Sequence, residues 1–342
     1  MEKAMGMRNS ELKKALTSLS VCSRGIFDKH ELAALLVENQ IASKSTNADA
    51  QRDSLVVDML DVTSSNVPGA KDFIGVRIMD NRGNALDCMV DTAASCNLIT
   101  AAAVDRLNLP RQAFNQYGSG LGGQGQIANA KTTLRDMTFP TSSKTRIPMT
   151  DASILANPGM LPPSVDVLLG LPFLQSLQSL VTLDLINKKF IFTLGTMPSH
   201  ELPNYYKLTF RRAYPTGLLV IDALVDKKRQ VDAMVDIGST YSILSKEAVT
   251  RVLGVKLDQL STSPTVATGI TGQPMTMREC TVESLLLGNS VNVARQKLYA
   301  ADIPQLEAIG LDKGMLLLGI DVLGQYDQIA FCFTENAMYL RK

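Results

Sequence analysis

The sequence predicts a mostly-β body built from two copies of one unit, preceded by a short helical segment. Three observations carry that expectation. From Ser54 onward, short β-forming runs alternate with Gly, Asn, Asp and Pro. A series of landmarks in this region recurs later in the chain in the same order. Residues 1–42 instead carry apolar side chains at helical spacing.

The helical segment reads as a hairpin over residues 1–42. Ser10 is placed to cap ELKKALTSL, where Leu12, Leu16 and Leu19 share one face. Asp28 caps KHELAALLVENQ, with Glu31 at the capping-box position and Leu32, Leu35 and Leu36 as the apolar stripe. The stretch around GIFDKHEL (Gly25–Leu32) resembles the small SAP-like helical domains, yet the segment has no basic stripe to engage phosphates. Recruitment of a protein partner, or packing on the body, is therefore expected of it rather than DNA binding. A polar linker over residues 43–53 follows.

The β runs come in two series. LVVDMLDVT, FIGVRIM, ALDCMVD and TLDLINKKFIFTL belong to the first, with MDNRGNA as a hairpin turn. YYKLTFRRA, GLLVIDALV, QVDAMVD and IAFCFTENAMYL belong to the second. CMVDTAASC (Cys88–Cys96) and AMVDIGSTY (Ala233–Tyr241) place Asp91 and Asp236 145 residues apart (236 − 91). AAAVDRL matches KEAVTRV at Ala103/Ala248, Val104/Val249 and Arg106/Arg251. GLGGQ then matches GITGQ, and VLLGLPFL matches LLLGIDVL, with Gly170 and Gly319 149 apart (319 − 170). One small insertion accounts for the change of offset. The expected units are residues 54–197 and 198–342.

Each unit thus runs from an apolar strand to an acid in a small-residue turn, then a glycine-rich hairpin, then an apolar strand ending in Gly. In this order the chain resembles the aspartic proteases, as two retropepsin-like units fused in one bilobal, pepsin-like chain. The resemblance implies that Asp91 and Asp236 are the catalytic acids. It implies that Tyr117, Gly118, Gly120, Gly122 and Gly123 belong to a flap over substrate, with Gly269 and Gly272 in its counterpart. Thr92, Ala93, Gly238 and Ser239 would shape the acid loops, and Gly170 and Gly319 would pack behind them. The implied activity is endopeptidase cleavage of polypeptides, with no metal and no organic cofactor. Two carboxyls held close together share one proton, so that one serves as base toward water and the other as acid toward the carbonyl.

Two departures from the family motif bear on activity. Ala93 stands where the family has Gly, and a methyl there threatens to crowd substrate or to strain the loop if φ must be positive. Ile237 stands where the family has Thr or Ser, so only Thr92 remains to link the two loops by a hydroxyl. These departures support a second expectation, a protease-like module that binds peptides without cutting them. A third is a regulatory scaffold in which the helical hairpin does the work.

Other features narrow the field. The net charge is +1 and the two histidines, His30 and His200, lie far apart, which argues against nucleic acid, anionic membrane and histidine-based metal chemistry. Five cysteines without metal or redox spacing read as free thiols, and Cys96 as a small buried residue. No apolar run reaches transmembrane length, and the N-terminus lacks a secretory core, so a cytoplasmic protein working near neutral pH is expected. GSGLGG satisfies a dinucleotide-type spacing, but FNQY before it and QGQIANAK after it fit a β-hairpin better. Both acids lie in one chain, so a monomer suffices. Asp87 and Asp232 repeat as strand residues with no catalytic part, and Asp321 opposite Pro172 reads as structural.

Overall fold

The computed structural model describes residues 8–18, 54–62, 73–120, 123–177, 179–268, 274–303 and 314–342. The chain divides into two compact units, Met1–Asp53 and Ser54–Lys342. In the first, helix α1 (Asn9–Ser18) is described. It begins before Ser10, so Ser10 lies in its first turn. The Glu11 carboxylate accepts the Arg8 N–H at 2.7 Å and closes the N-terminus from inside. The expected second helix, from Asp28 onward, lies outside the described residues.

The second unit is mostly β. Its first half contributes β1 (Ser54–Val62), β2 (Phe73–Met79), β3 (Ala85–Val90), β4 (Leu98–Ile99), β5 (Gln112–Gly120) and β6 (Gly123–Leu134). β7 (Thr138–Phe139), β8 (Ser142–Arg146), β9 (Thr150–Leu155), β10 (Val167–Leu169), β11 (Ser179–Asp184) and β12 (Lys189–Leu194) follow. The second half contributes β13 (Tyr206–Thr209), β14 (Arg211–Arg212), β15 (Leu219–Val225), β16 (Arg229–Val235), β17 (Ile243–Ser245) and β18 (Ser261–Thr268). β19 (Pro274–Leu287), β20 (Val291–Ala301), β21 (Met315–Leu318), β22 (Gln328–Cys332) and β23 (Ala337–Arg341) complete it. Short helices α2 (Ala101–Leu107), α3 (Leu171–Ser176), α4 (Lys246–Ala248) and α5 (Ile320–Leu323) interrupt the strands.

The two halves follow one pairing plan. β10 runs parallel to β3 and antiparallel to β4, which runs parallel to β9. β21 runs parallel to β16 and antiparallel to β17, which runs parallel to β20. The registers agree residue for residue: Leu168 faces Met89 as Leu317 faces Met234, and Leu169 faces Val90 as Leu318 faces Val235. The halves meet in a run of six antiparallel strands, β13-β23-β22-β11-β12-β1. β11 and β22 pair at its middle, joining one half to the other. β1 then turns from this run into the first half, where Met59–Val62 pairs with β2.

Local sequence explains several joints. The Asp80 carboxylate accepts the N–H groups of Arg82 and Asn84 and so closes the expected MDNRGNA turn. Thr100 caps α2 through the Ala103 N–H, and Ser245 caps α4 through the Ala248 N–H, at the same 145-residue offset. A large apolar core containing Val90, Leu169, Val181, Val235, Leu318 and Phe331 runs through both halves. Two smaller clusters adjoin the acid turns. One holds Met89, Ala94 and Leu98. The other holds Met234, Ile243 and Met315, and the first half's Ala93 packs against it. Among the described residues, no helix is long and apolar enough to cross a membrane.

Candidate active site

Asp91 and Asp236 each follow the last residue of a strand sandwiched in the parallel pairing just described. The Asp91 N–H donates to the Leu169 carbonyl and the Asp236 N–H to the Leu318 carbonyl, both at 3.0 Å. Each carboxylate then accepts an amide of its own turn, Ala93 N–H at 2.7 Å and Gly238 N–H at 2.9 Å. The Ala94 and Ser239 amides, next along each turn, also favour the ionised form of Asp91 and Asp236 respectively. Strand, turn and amides thus deliver the two acids in matching poses.

The two turns touch. The carboxyls of Asp91 and Asp236 stand close enough for each to shift the other's titration. A Cβ placed on Gly238 would lie 2.5 Å from the Asp91 Cγ, far inside contact distance, so glycine is required there for the acid to approach. Beneath the acids, the buried Thr92 hydroxyl donates to the Val235 carbonyl at 2.8 Å and accepts the Ile237 N–H at 3.1 Å. Ile237 has no hydroxyl to return the bond and is buried in the large core instead.

Burial raises both carboxyls above the ordinary range. Burial is the first cause for each, and for Asp236 the Asp91 charge acts in the same direction. Turn amides and the neighbouring Asp236 carboxyl pull Asp91 partly back. Such a pair titrates as one unit and retains a proton where isolated carboxyls have lost theirs.

The glycines behind the turns are packed against carbonyl oxygens. A Cβ on Gly170 would meet the oxygens of Cys96 and Ala94 at 2.4 and 2.6 Å, and one on Gly319 would meet Tyr241 O at 2.6 Å. Sequence reasoning missed the side chains that lock these contacts. In the first half Asn97 accepts the Gly170 N–H at 2.9 Å and donates to the Asp151 carbonyl at 3.0 Å. In the second half Ser242, at the same offset from its acid, accepts the Gly319 N–H at 2.9 Å. Asp321 in turn accepts from Ser242 Oγ at 2.6 Å and from Ser242 N at 2.9 Å. The signal was available: Asn97 and Ser242 extend the 145-residue correspondence.

The strain foreseen at Ala93 does not arise, since neither Ala93 nor Gly238 has positive φ. Ser239 donates to the Tyr241 carbonyl at 2.8 Å and shapes the second turn. Tyr117, Gly118, Gly120 and Gly123 lie on the β5–β6 hairpin, where Gly118 faces Gly125 and Gly120 faces Gly123. Gly122, Gly269 and Gly272 lie outside the described residues. The Tyr117 ring is 75% exposed. Its neighbour Gln116 points the other way, accepting from Ser153 Oγ at 2.6 Å. Gln116 also stands beside the Cys96 thiol, whose pKa burial pushes up, so that it remains protonated. Asp87 and Asp232 are held in ion pairs with Arg77 and Arg211. No cluster of three or more metal-ligating His, Cys, Asp or Glu side chains occurs among the described residues.

Residues 74–173 match the family model for an aspartyl protease. The aspartyl protease match covers the first half's acid turn, its hairpin and Gly170, and ends before the second half begins. No curated protein matches the chain. Asp236 and its surroundings therefore rest on the internal correspondence of the two halves and on the contacts above.

Proposed function

We propose that the chain is an aspartic endopeptidase in which two fused retropepsin-like lobes, residues 54–197 and 198–342, bring Asp91 and Asp236 to the floor of a substrate cleft. The single observation that carries this reading is the meeting of two acid turns 145 residues apart, where a Cβ on Gly238 would stand 2.5 Å from the Asp91 Cγ and the Thr92 hydroxyl bonds the Val235 carbonyl and the Ile237 N–H. One carboxyl takes a proton from water as the water oxygen bonds to the scissile carbonyl carbon. The other gives its proton to the carbonyl oxygen, which receives the π electrons. Collapse of the tetrahedral diol breaks the C–N bond: the leaving nitrogen takes the proton that the first carboxyl gained from water, one diol hydroxyl gives its proton to the second carboxylate as its C=O reforms, and the pair returns to its singly protonated state. The chemistry needs only the pair and water. The β5–β6 hairpin with Tyr117 would fold over bound polypeptide, with the β18–β19 hairpin as its counterpart. A monomer in the cytoplasm suffices, and residues 1–42 would recruit a protein partner.

The test is digestion of a peptide library, with and without pepstatin, by the wild type and by Asp91→Asn. Cleavage that pepstatin blocks and the substitution abolishes is expected. Ala93 and Ile237 favour a second reading, a module that holds peptides without cutting. Peptide binding by the wild type with no cleavage at any pH between 3 and 8 would select it.

A further inference from the structure

We propose that Gln116 is a positioning residue of the first half's hairpin: through Ser153 it holds the base of β5–β6 against the Asp91 turn, and so sets how firmly the hairpin closes on substrate. The proposal rests on the peptidase reading for its substrate. Two opposed irregularities in the β5–β6 ladder flank Gln116. From Ala113 to Gln116, β5 advances three residues while β6 advances two, from Ala130 to Ala128. From Gln116 to Tyr117, β5 advances one while β6 again advances two, to Gln126. Bulges of this kind re-aim a side chain. Here Tyr117 is left exposed, while the Gln116 Oε1 accepts from Ser153 Oγ on β9 at 2.6 Å. The buried Ser153 donates its N–H to the Asn97 carbonyl at 2.9 Å, and the Asn97 side chain accepts the Gly170 N–H behind the acid turn. Consecutive hydrogen bonds thus link the hairpin to the support of Asp91. Beyond the anchor, Ile127 of β6 packs with Ala94 of the same turn.

The second half fills the equivalent places differently. Ser153 pairs with Leu98 as Tyr299 pairs with Ile243, and Cys96, beside Gln116, lies at the offset of Tyr241 (241 − 96 = 145). The two tyrosines pack edge to face, with ring centroids 4.9 Å apart. The place of Gln116 falls to Thr265 (265 − 116 = 149, the offset of the glycine hairpins), whose N–H donates to Ser263 Oγ at 3.0 Å. A directional polar link in one half therefore stands where the other has aromatic packing. Removing the Gln116 acceptor leaves a buried hydroxyl unpaired and frees the base of the hairpin. The turn amides on the two acids and the Thr92 bonds beneath them are made by other groups, so the chemical step is spared.

The experiment compares full chains of the wild type, Gln116→Met, Ser153→Ala and the double variant by amide hydrogen exchange and by cleavage kinetics. Methionine keeps the length of the side chain without the acceptor. Amides of residues 117–120 and 123–127 should exchange about tenfold faster in each variant, and the double should be no faster than the singles. Amides of β18 and β19 should keep their wild-type rates. KM should rise by about the same factor, with kcat held within about twofold. Ser153→Thr, which keeps the hydroxyl, should restore both readouts. Unchanged exchange, single effects that add in the double, no rescue by Ser153→Thr, or a loss confined to kcat overturns the proposal. If Gln116→Met does not fold, Ser153→Ala against Ser153→Thr decides alone. Exchange needs no turnover: a hairpin loosened in a chain that cleaves nothing would support this inference and remove the peptidase reading. Cleavage by a chain whose hairpin ignores these substitutions would do the reverse.

Discussion

The turn after Asp91 and the turn after Asp236 reach one geometry by different means. Both acids leave a strand flanked in the same register, and both accept the amide two residues on in their own turn. Behind them the first half uses Asn97 alone, while the second uses Ser242 held by Asp321. Across the junction the first half gives a hydroxyl, Thr92, and the second gives a buried hydrocarbon, Ile237. What recurs is the position of the carboxyl and the close approach of a glycine behind each turn. What differs is the chemistry that fills the remaining space. The backbone plan fixes where the acids meet, and the side chains around them set how alike they are.

The sharpest way to break the comparison is at the acids themselves. If both belong to one catalytic unit, Asp91→Asn and Asp236→Asn should each lower kcat/KM by about 10³-fold or more, and the double variant should be little worse than either. Partial activity in one single variant would mean that the halves do not act together. Stability should move the opposite way. Both folded carboxyls sit above their unfolded values, so the folded state holds more protons. Stability then falls as pH rises from the unfolded carboxylate range, ~4, through the folded values. Each Asn variant should therefore melt higher than the wild type at pH 7, by about 2–4 °C, with the gain fading toward pH 3. Thermal melts at the two pH values decide it.

Next come the glycines. Gly170→Ala and Gly319→Ala each force a methyl to within about 2.4–2.6 Å of backbone oxygens of the adjoining turn, an overlap that a flexible side chain cannot relieve. Each should cost about 3 kcal/mol or more in urea unfolding. A cost under about 1 kcal/mol at either site would show that the turn gives way there, and that the two halves are not equally rigid.

Much of this was legible in the sequence, and the reasons differ from place to place. That the two halves repeat one plan was legible in the repeated order of strand, acid, hairpin and glycine, whereas which strands pair and in which direction was not, because pairing joins residues far apart in the chain. The meeting of Asp91 and Asp236 was legible only through their correspondence, since nothing local to either acid announces the other. Asn97 and Ser242 were not read as supports, and Asp321 was read as structural without the Ser242 it holds. A polar residue before an apolar run looks like a turn, and its partner lies more than seventy residues away. The start of α1 was placed late because Ser10 is a good cap in isolation, whereas Glu11 reaching back to Arg8 caps the helix from within. The sense of Ala93 could not be read at all. Which surface its methyl meets depends on long-range packing, and the structure packs it against the second half's cluster.

The hydroxyl asymmetry gives a smaller effect. Thr92→Val leaves the Val235 carbonyl and the Ile237 N–H without the partner they now share, in a fully buried setting. It should cost about 2 kcal/mol or more. Ile237→Thr exchanges buried apolar surface for a hydroxyl that can reach back to the first half, and the two terms nearly offset, so a change within about 1 kcal/mol is expected. Equal costs for the two substitutions would mean that the single hydroxyl is not what ties the turns together.

Smallest of all are the repeated acids on the strands before the turns. Asp87 makes a two-point pair with Arg77 at 2.6 and 2.9 Å and adjoins Asp166, itself paired with Arg106. Asp232 has Arg211 at 2.5 Å. All four arginine and aspartate partners of the two principal pairs are substantially solvated, with exposures of 48% and 32% in the first pair and 50% and 23% in the second. Exposed pairs of this kind contribute ~0.2–1 kcal/mol, so Asp87→Asn and Asp232→Asn should each stay under about 1 kcal/mol. Asp87→Asn should be the larger by a few tenths, because it breaks a two-point contact next to a second pair. In 1 M salt, where charges are screened within ~3 Å, that difference should shrink toward zero. Neither substitution touches the turn, the amides or the carboxyl contact, so kcat/KM should hold within about twofold. A large loss of cleavage in Asp232→Asn alone would place that acid in the site, and would make the two halves differ in chemistry where they now differ only in support.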